Sequence, residues 1–332
     1  MDSIDLQVLD AARRWATSGK QFALVTVAAT WGSAPRLPGA WLALREDGAI
    51  VGSVSGGCVE DDLIERMRAG RISAGPPFLL TYGVTRDEAT RFGLPCGGTL
   101  QLVIEPAPDP QLLDALAQRL AAQQLAARSV DLASGAVTTG DARRGDALQW
   151  NGTRLTTIHG PQWRLLLIGG GQLSLVLARM ALALDFEVIV CDPREEYRAE
   201  WNVPGARLVG TMPDDAVLAL QPDPHSAIVA LTHDPKLDDM ALLEALKSPA
   251  FYVGALGSRR NTAARKRRLR EHFDLSDAEV ERLHGPVGLF IGSRTPAEIA
   301  VSILAEIIAV KHGVVSPAGR QQVALADGCA TG

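Results

Sequence analysis

The chain has 332 residues, 47% hydrophobic and 21% charged, with a formal net charge of −5. That is enough apolar material for a core, so intrinsic disorder is excluded for most of the length, and the acidic balance argues against nucleic acid or a membrane surface as the default partner. At roughly 100–200 residues per domain the length predicts two domains. No stretch approaches the ~20 uninterrupted apolar residues of a membrane span. The candidate from Leu165 to Leu184 is broken by Gly169-Gly170-Gly171, Gln172 and Arg179. Met1-Asp2-Ser3-Ile4-Asp5 lacks the charged-then-apolar layout of a secretory signal, so a cytoplasmic protein is expected. Four cysteines, Cys58, Cys96, Cys191 and Cys329, form no C-x-x-C pair, which suits a reducing compartment.

Residues 1–107 read as a small α/β domain. Leu6, Leu9, Ala12 and Trp15 recur at helical spacing, and Gly19 closes that helix. Phe22 to Ala29 predicts a buried strand. Ala40 to Leu44 and Ala49 to Val51 flank Asp47-Gly48, which predicts a hairpin with a type I′ turn. A helix from about Val59 to Arg68 and a strand from Thr99 to Ile104 follow. Residues 108–162 read as a connector: a short helix with Leu112, Leu113, Leu116 and Leu120, then a small β-meander with glycines at its turns.

Residues 163–313 alternate strand and helix, which predicts a doubly wound parallel sheet of Rossmann type. Strands are expected at Leu165–Ile168, Glu187–Cys191, Ala206–Val209, Ala227–Leu231 and Phe251–Gly254. The first helix has one face of Leu173, Val176, Leu177, Met180, Ala181 and Leu184. Thr295, Pro296 and Glu298 predict a capping box and a first-turn proline for the last helix. Residues 314–332 are small and polar and are expected to be disordered.

Several loops have residues that suit chemistry. Gly169-Gly170-Gly171 lies between a strand and a helix, with Asp192 ending the next strand, the context of a dinucleotide fingerprint. There a pyrophosphate can approach the helix N-terminus, and Asp192 can accept from a ribose hydroxyl, or Arg194 can favour a 2′-phosphate. The alternative is a glycine-rich turn with no ligand. Ser55-Gly56-Gly57-Cys58 sits where a strand gives way to a helix, offering an anion nest and a thiol at a helix N-terminus. A tight turn before a space-filling cysteine reads equally well. Cys96-Gly97-Gly98 repeats the pattern, and two glycine-flanked sulfurs in one small domain suit a soft metal or sulfur transfer. Arg36, on the stiff loop Trp31 to Gly39, suits an anion, or simply a surface loop.

Arg259 and Arg260, after Ser258 as an expected N-cap, fall at the carboxyl end of a strand, where open sheets bind ligands. The run Arg265-Lys266-Arg267-Arg268 reads as a solvated helix face. Thr232-His233-Asp234 reads as a helix cap rather than an acid–base pair, and Arg294 would reinforce an anion at the last helix. No G-x-S-x-G elbow, H-E-x-x-H motif or Walker loop is present in the sequence.

Taken together, these stretches resemble the xanthine dehydrogenase accessory factor family (XdhC/CoxI type). The resemblance is carried by Gly32 to Arg36, Gly52 to Glu60, Cys96 to Thr99, Ile168 to Gly171, Gly254 to Arg260 and Gly288 to Ala300, in the family's order over nearly the whole chain. Gln172-Leu173-Ser174 departs from it, since the family more often has a His and small residues there. The resemblance implies a chaperone that holds molybdenum cofactor (a molybdopterin) for sulfuration by a cysteine desulfurase and inserts it into the large subunit of a molybdenum hydroxylase. It also implies a homodimer, no turnover of its own, and Cys58 and Cys96 as contacts to the cofactor's molybdenum. The other reading is an NAD(P)-dependent oxidoreductase that uses the Rossmann half. Ser55, Gly56, Gly57, Gly97, Gly98, Arg36, Gly169, Gly171, Asp192, Arg259 and Arg294 complete the expected binding residues.

Overall fold

Apolar residues in β1 (Phe22–Trp31) are buried on both sides, and this explains the architecture of the first half. Ala23, Val25 and Val27 face one way and Phe22 and Leu24 the other, as the two-residue period of a strand requires. In the computed structural model, which describes residues 3–31, 36–72, 74–83 and 99–314, β1 is the centre of a five-stranded antiparallel sheet. Its order is β3-β2-β1-β5-β4, with β2 (Trp41–Arg45), β3 (Ile50–Gly52), β4 (Phe78–Tyr82) and β5 (Thr99–Pro106). On one face α2 (Cys58–Arg68) packs Val59, Leu63 and Met67 onto the sheet. On the other, α1 (Ser3–Thr17) and α3 (Pro110–Ala121) bury Val8, Leu9, Ala12, Leu113 and Leu116.

Strands β6 (Ala126–Asp131), β7 (Val137–Asp141), β8 (Gln149–Trp150) and β9 (Arg154–His159) make the expected meander, in the order β7-β6-β9-β8. It belongs to the same compact unit, residues 1–162, as the segment before it. Arg128 of β6 reaches Glu105 of β5 at 2.6 and 2.8 Å, both side chains buried. The β2–β3 hairpin forms, but not with the expected type I′ turn. Only Gly48 takes positive φ, at 91°. Asp47 instead accepts from Ala49 N–H and pairs with Arg45, so a turn with a single left-handed glycine suffices.

The second unit, residues 163–332, contains a six-stranded, all-parallel sheet. Its strands are β10 (Trp163–Ile168), β11 (Phe186–Cys191), β12 (Arg207–Val209), β13 (Ser226–Ala230), β14 (Tyr252–Ala255) and β15 (Leu283–His284). The order β12-β11-β10-β13-β14-β15 reverses direction between β10 and β13, which is the Rossmann arrangement with its switch point there. Helices α4 (Gln172–Ala183), α5 (Glu195–Ala199), α6 (Pro213–Leu220), α7 (Pro235–Lys247), α8 (Arg259–Phe273), α9 (Asp277–Glu281) and α10 (Pro296–Lys311) follow in chain order. Two apolar clusters, one on each face, seal the sheet. Thr295 caps α10 with Glu298 completing the box, as the sequence predicts. Among the described residues no helix is long and apolar enough to cross a membrane. The expected disordered tail lies, from residue 315 on, outside the described residues.

Candidate functional site

In the first unit, the chain leaves β3, turns through Ser53 to Gly57 and enters α2 at Cys58. Gly56 takes φ of 85°, a conformation that only glycine adopts cheaply. The turn points four backbone N–H groups inward, as an anion nest requires. The anion they meet is the chain's own. The Glu60 carboxylate accepts from the N–H groups of Val54, Ser55, Gly56 and Gly57 at 2.8–3.0 Å. It also accepts from the hydroxyls of Ser53 at 2.8 Å and Ser55 at 2.5 Å. Glu60 is only 5% exposed. Burial alone would raise its pKa, yet the hydroxyl and backbone donors hold it well down, at about 2.

The donors expected to face a ligand phosphate are therefore spent internally. Left outside is Cys58, the first residue of α2, exposed and in the free thiol form. A Cβ added at Gly57 would meet nothing within 4 Å, so the turn beside Cys58 is open to solvent at that position. The geometry suits a soft, accessible sulfur on a rigid turn, rather than a phosphate cradle. Cys96, Gly97 and Gly98 lie outside the described residues. Arg36 points to Asp5, with Nη2 at 3.4 Å from Oδ1, and the same oxygen accepts from Trp41 N–H. It is thus tied to α1.

In the second unit, Gly169 follows β10 with φ of 111°. A Cβ there would stand 3.1 Å from Thr232 N, so the β10 and β13 termini are brought together by the missing side chain. Gly169→Ala is expected to lower the unit's stability by about 2 kcal/mol through backbone strain, read as a shift of the urea midpoint. Asp192, fully buried, accepts from Gly170 N–H at 2.8 Å and from Arg194, through its backbone N–H and two guanidinium nitrogens, at 2.8–3.0 Å. Those donors keep its pKa low against the opposing effect of burial. The Arg194 guanidinium also lies 3.8 Å from the Tyr197 ring centroid. A ribose hydroxyl would have to displace Arg194 to reach Asp192. Gly171 caps α4 without a side-chain hydrogen bond and has open space where a Cβ would be.

Asp234 caps α7, accepting from Lys236 N–H, as the cap reading of Thr232 to Asp234 expects. Ser258 caps α8 through Asn261 N–H. Arg259 and Arg294 are both exposed. The solvated reading of the basic run needs correction. Arg265 is 6% exposed and pairs with Asp238 and Asp239, while Arg268 pairs with Asp239 and Lys266 with Glu281. Acids on α7 and α9 thus pair with three of the four cations, and Arg267 alone stays exposed as the solvated reading expects. Among the described residues no group of three or more His, Cys, Asp or Glu could hold a metal ion.

A model of the XdhC Rossmann domain matches residues 165–307, and a model of the XdhC and CoxI family matches residues 15–83. The two matches together span more than half of the chain. The chain belongs to the XdhC and CoxI family. Among relatives of this XdhC/CoxI chain, the molybdenum cofactor insertion chaperone PaoD of Escherichia coli is 29% identical over 89% of this chain and 85% of its own length. A Bacillus subtilis protein named as a probable xanthine dehydrogenase subunit is 27% identical over 88% of this chain and 93% of its own length. The uncharacterized protein YqeB of Escherichia coli is 29% identical, and the chain spans only 44% of its length. A crystal structure described as a xanthine dehydrogenase from Bacillus halodurans shares the fold with a TM-score of 0.69 and 25% identity, covering 95% of this chain and 97% of that one.

For this XdhC/CoxI chain, motif reading misses Glu60 as the occupant of its own nest. The signal is present: Glu60 stands three residues after Gly57, the spacing of a capping box. Thr262, in the first turn of α8, has no motif to mark it, and Phe290 lies within the Gly288 to Ala300 stretch with no signal of its own.

Proposed function

We propose that this chain is a molybdenum cofactor insertion chaperone for a xanthine dehydrogenase-type hydroxylase, with Cys58 as a ligand to the cargo's molybdenum. The observation that carries the reading is an exposed thiol on a turn locked by Glu60, within the segment that matches the XdhC and CoxI family. A thiolate is a soft ligand suited to a thiophilic metal centre. A rigid turn presents it without the entropy loss of ordering a loop on binding. The relative named as a molybdenum cofactor insertion chaperone supports the same role.

Cys96 is the second proposed sulfur, with Gly97 and Gly98 leaving its backbone bare. In the second unit, the α4 N-terminus at Gly169 to Gly171 is proposed to take the diphosphate of a dinucleotide form of the cargo. Arg259 and Arg294 are proposed as further contacts to its phosphate. A cysteine desulfurase that sulfurates the held cofactor, a homodimeric state and a cytoplasmic location complete the proposal. The oxidoreductase alternative is not favoured, since Asp192 already spends its acceptors on Gly170 and Arg194.

The test is to purify the chain with molybdenum cofactor supplied and to measure bound molybdenum and pterin. Cys58→Ala and Cys96→Ala are each expected to retain at least ~10-fold less metal than wild type, the equivalent of about 1.4 kcal/mol. Retention at the wild-type level in both variants would sink the carrier reading.

A further inference from the structure

The first turn of α8 has two arginines, Arg259 and Arg260, and no acid. A helix N-terminus already carries partial positive charge, so cations there repel it unless an anion is bound. Both guanidinium groups are exposed, and among the described residues neither has an ion-pair partner. The turn lies just past the carboxyl end of β14, on the edge where open parallel sheets take ligands.

Two independent observations point to what would sit there. The first is Thr262, one helical turn into α8 and 6% exposed. Its hydroxyl has no hydrogen-bond partner among the described residues. It faces the Gly257 turn, where a Cβ would stand 4.0 Å from Oγ1, and the Gly285 backbone, where a Cβ would stand 3.0 Å away. A buried hydroxyl left unmet is costly and calls for a missing acceptor. The second is Phe290, 94% exposed, over which the Arg259 guanidinium lies at 5.9 Å from the ring centroid. A bare aromatic face beside a cation suits a planar, π-rich ring.

We propose that the N-terminus of α8, through Arg259, Arg260 and Thr262, binds the phosphate of a phosphorylated planar heterocycle whose ring rests on Phe290. The site deepens the carrier reading, because the cargo is itself a phosphorylated pterin, but it does not require Cys58. A free nucleotide has the same chemistry.

The experiment titrates the full chain at low salt with AMP, inorganic phosphate and adenosine. AMP is expected to bind, phosphate more weakly, and adenosine not measurably. Arg259→Ala with Arg260→Ala is expected to weaken AMP and phosphate at least ~10-fold. Phe290→Ala is expected to weaken AMP alone. Thr262→Val, which keeps the shape and removes the unmet hydroxyl, is expected to weaken AMP several-fold while leaving the thermal midpoint unchanged or raised. AMP binding equal in wild type and the double arginine variant would overturn the proposal, as would wild-type affinity in Thr262→Val. Cys58→Ala is expected to bind AMP normally, so the two proposals fail separately. Loss of pterin from the double arginine variant, purified with cofactor supplied, would assign the site to the cargo. Undiminished pterin with lost AMP binding would assign it to a free nucleotide.

Discussion

Glu60→Ala is expected to destabilise the first unit by about 3 kcal/mol and to abolish cargo retention while Cys58 is still present. The carboxylate receives six donors, and its removal strips Val54, Ser55 and Gly57 N–H groups of their acceptor. Gly56 alone has a second partner, the Ser53 hydroxyl at 3.0 Å. A donor left unmet costs about 1–3 kcal/mol where it is buried, as at Val54, and less where water can reach it, as at Gly57. Glu60→Gln keeps the shape but turns an amide donor toward a donor, so an intermediate loss is expected. Chemical denaturation measures the stability, and alkylation of Cys58 reports the turn's order. Unchanged stability in Glu60→Ala, or cargo retained at the wild-type level, would contradict this account.

The same residue sets a pH dependence. Its folded pKa of about 2 lies below the ordinary value of 4.5, so its contribution is fully present above pH 4.5. Stability is lost as pH falls from there toward 2, because the unfolded chain takes up the proton first. Allowing for screening by solvent at the mouth of the turn, the loss amounts to about 2 kcal/mol. In Glu60→Gln this portion of the acid sensitivity should vanish.

What can be read from sequence is local. The alternation of strand and helix, the three glycines after β10, and the caps at Asp234, Ser258 and Thr295 each depend on a few consecutive residues, and all appear in the structure. What escapes depends on partners far apart in the chain. Arg265 looks like one more charge in a basic run until folding brings Asp238, 27 residues away, against it. Strand β15 is two residues long and exists only because β14 lies beside it. The nest at Ser55 to Gly57 is legible, but a backbone concavity does not say whose anion fills it. Arg194, which reads from sequence as a selector of nucleotide, proves to be the partner of Asp192.

Arg265→Met is expected to cost the second unit about 3–4 kcal/mol, the range for breaking a buried ion pair from one side. The guanidinium donates to Asp238 at 2.8 Å, to Asp239 at 3.1 Å and to the Leu256 carbonyl at 3.1 Å, so one side chain joins α8, α7 and the end of β14. Asp239 keeps Arg268 in the variant, whereas Asp238 keeps only the Thr232 hydroxyl and N–H. Burial already pushes the Asp238 pKa up, and losing the guanidinium pushes it further. The variant's folded state then holds a proton that its unfolded state releases above the ordinary carboxylate value, so its deficit is largest at neutral pH and shrinks toward pH 4. Adding Asp238→Asn should restore most of the loss at pH 7, because no charge is then buried alone. Arg270→Ala, which breaks only exposed pairs to Asp277 and Glu281, should cost under about 1 kcal/mol. Equal losses in Arg265→Met and Arg270→Ala would mean that α8 is held by its apolar face alone. Because the first turn of α8 bears Arg259 and Thr262, Arg265→Met should also weaken AMP binding without touching any residue of that turn.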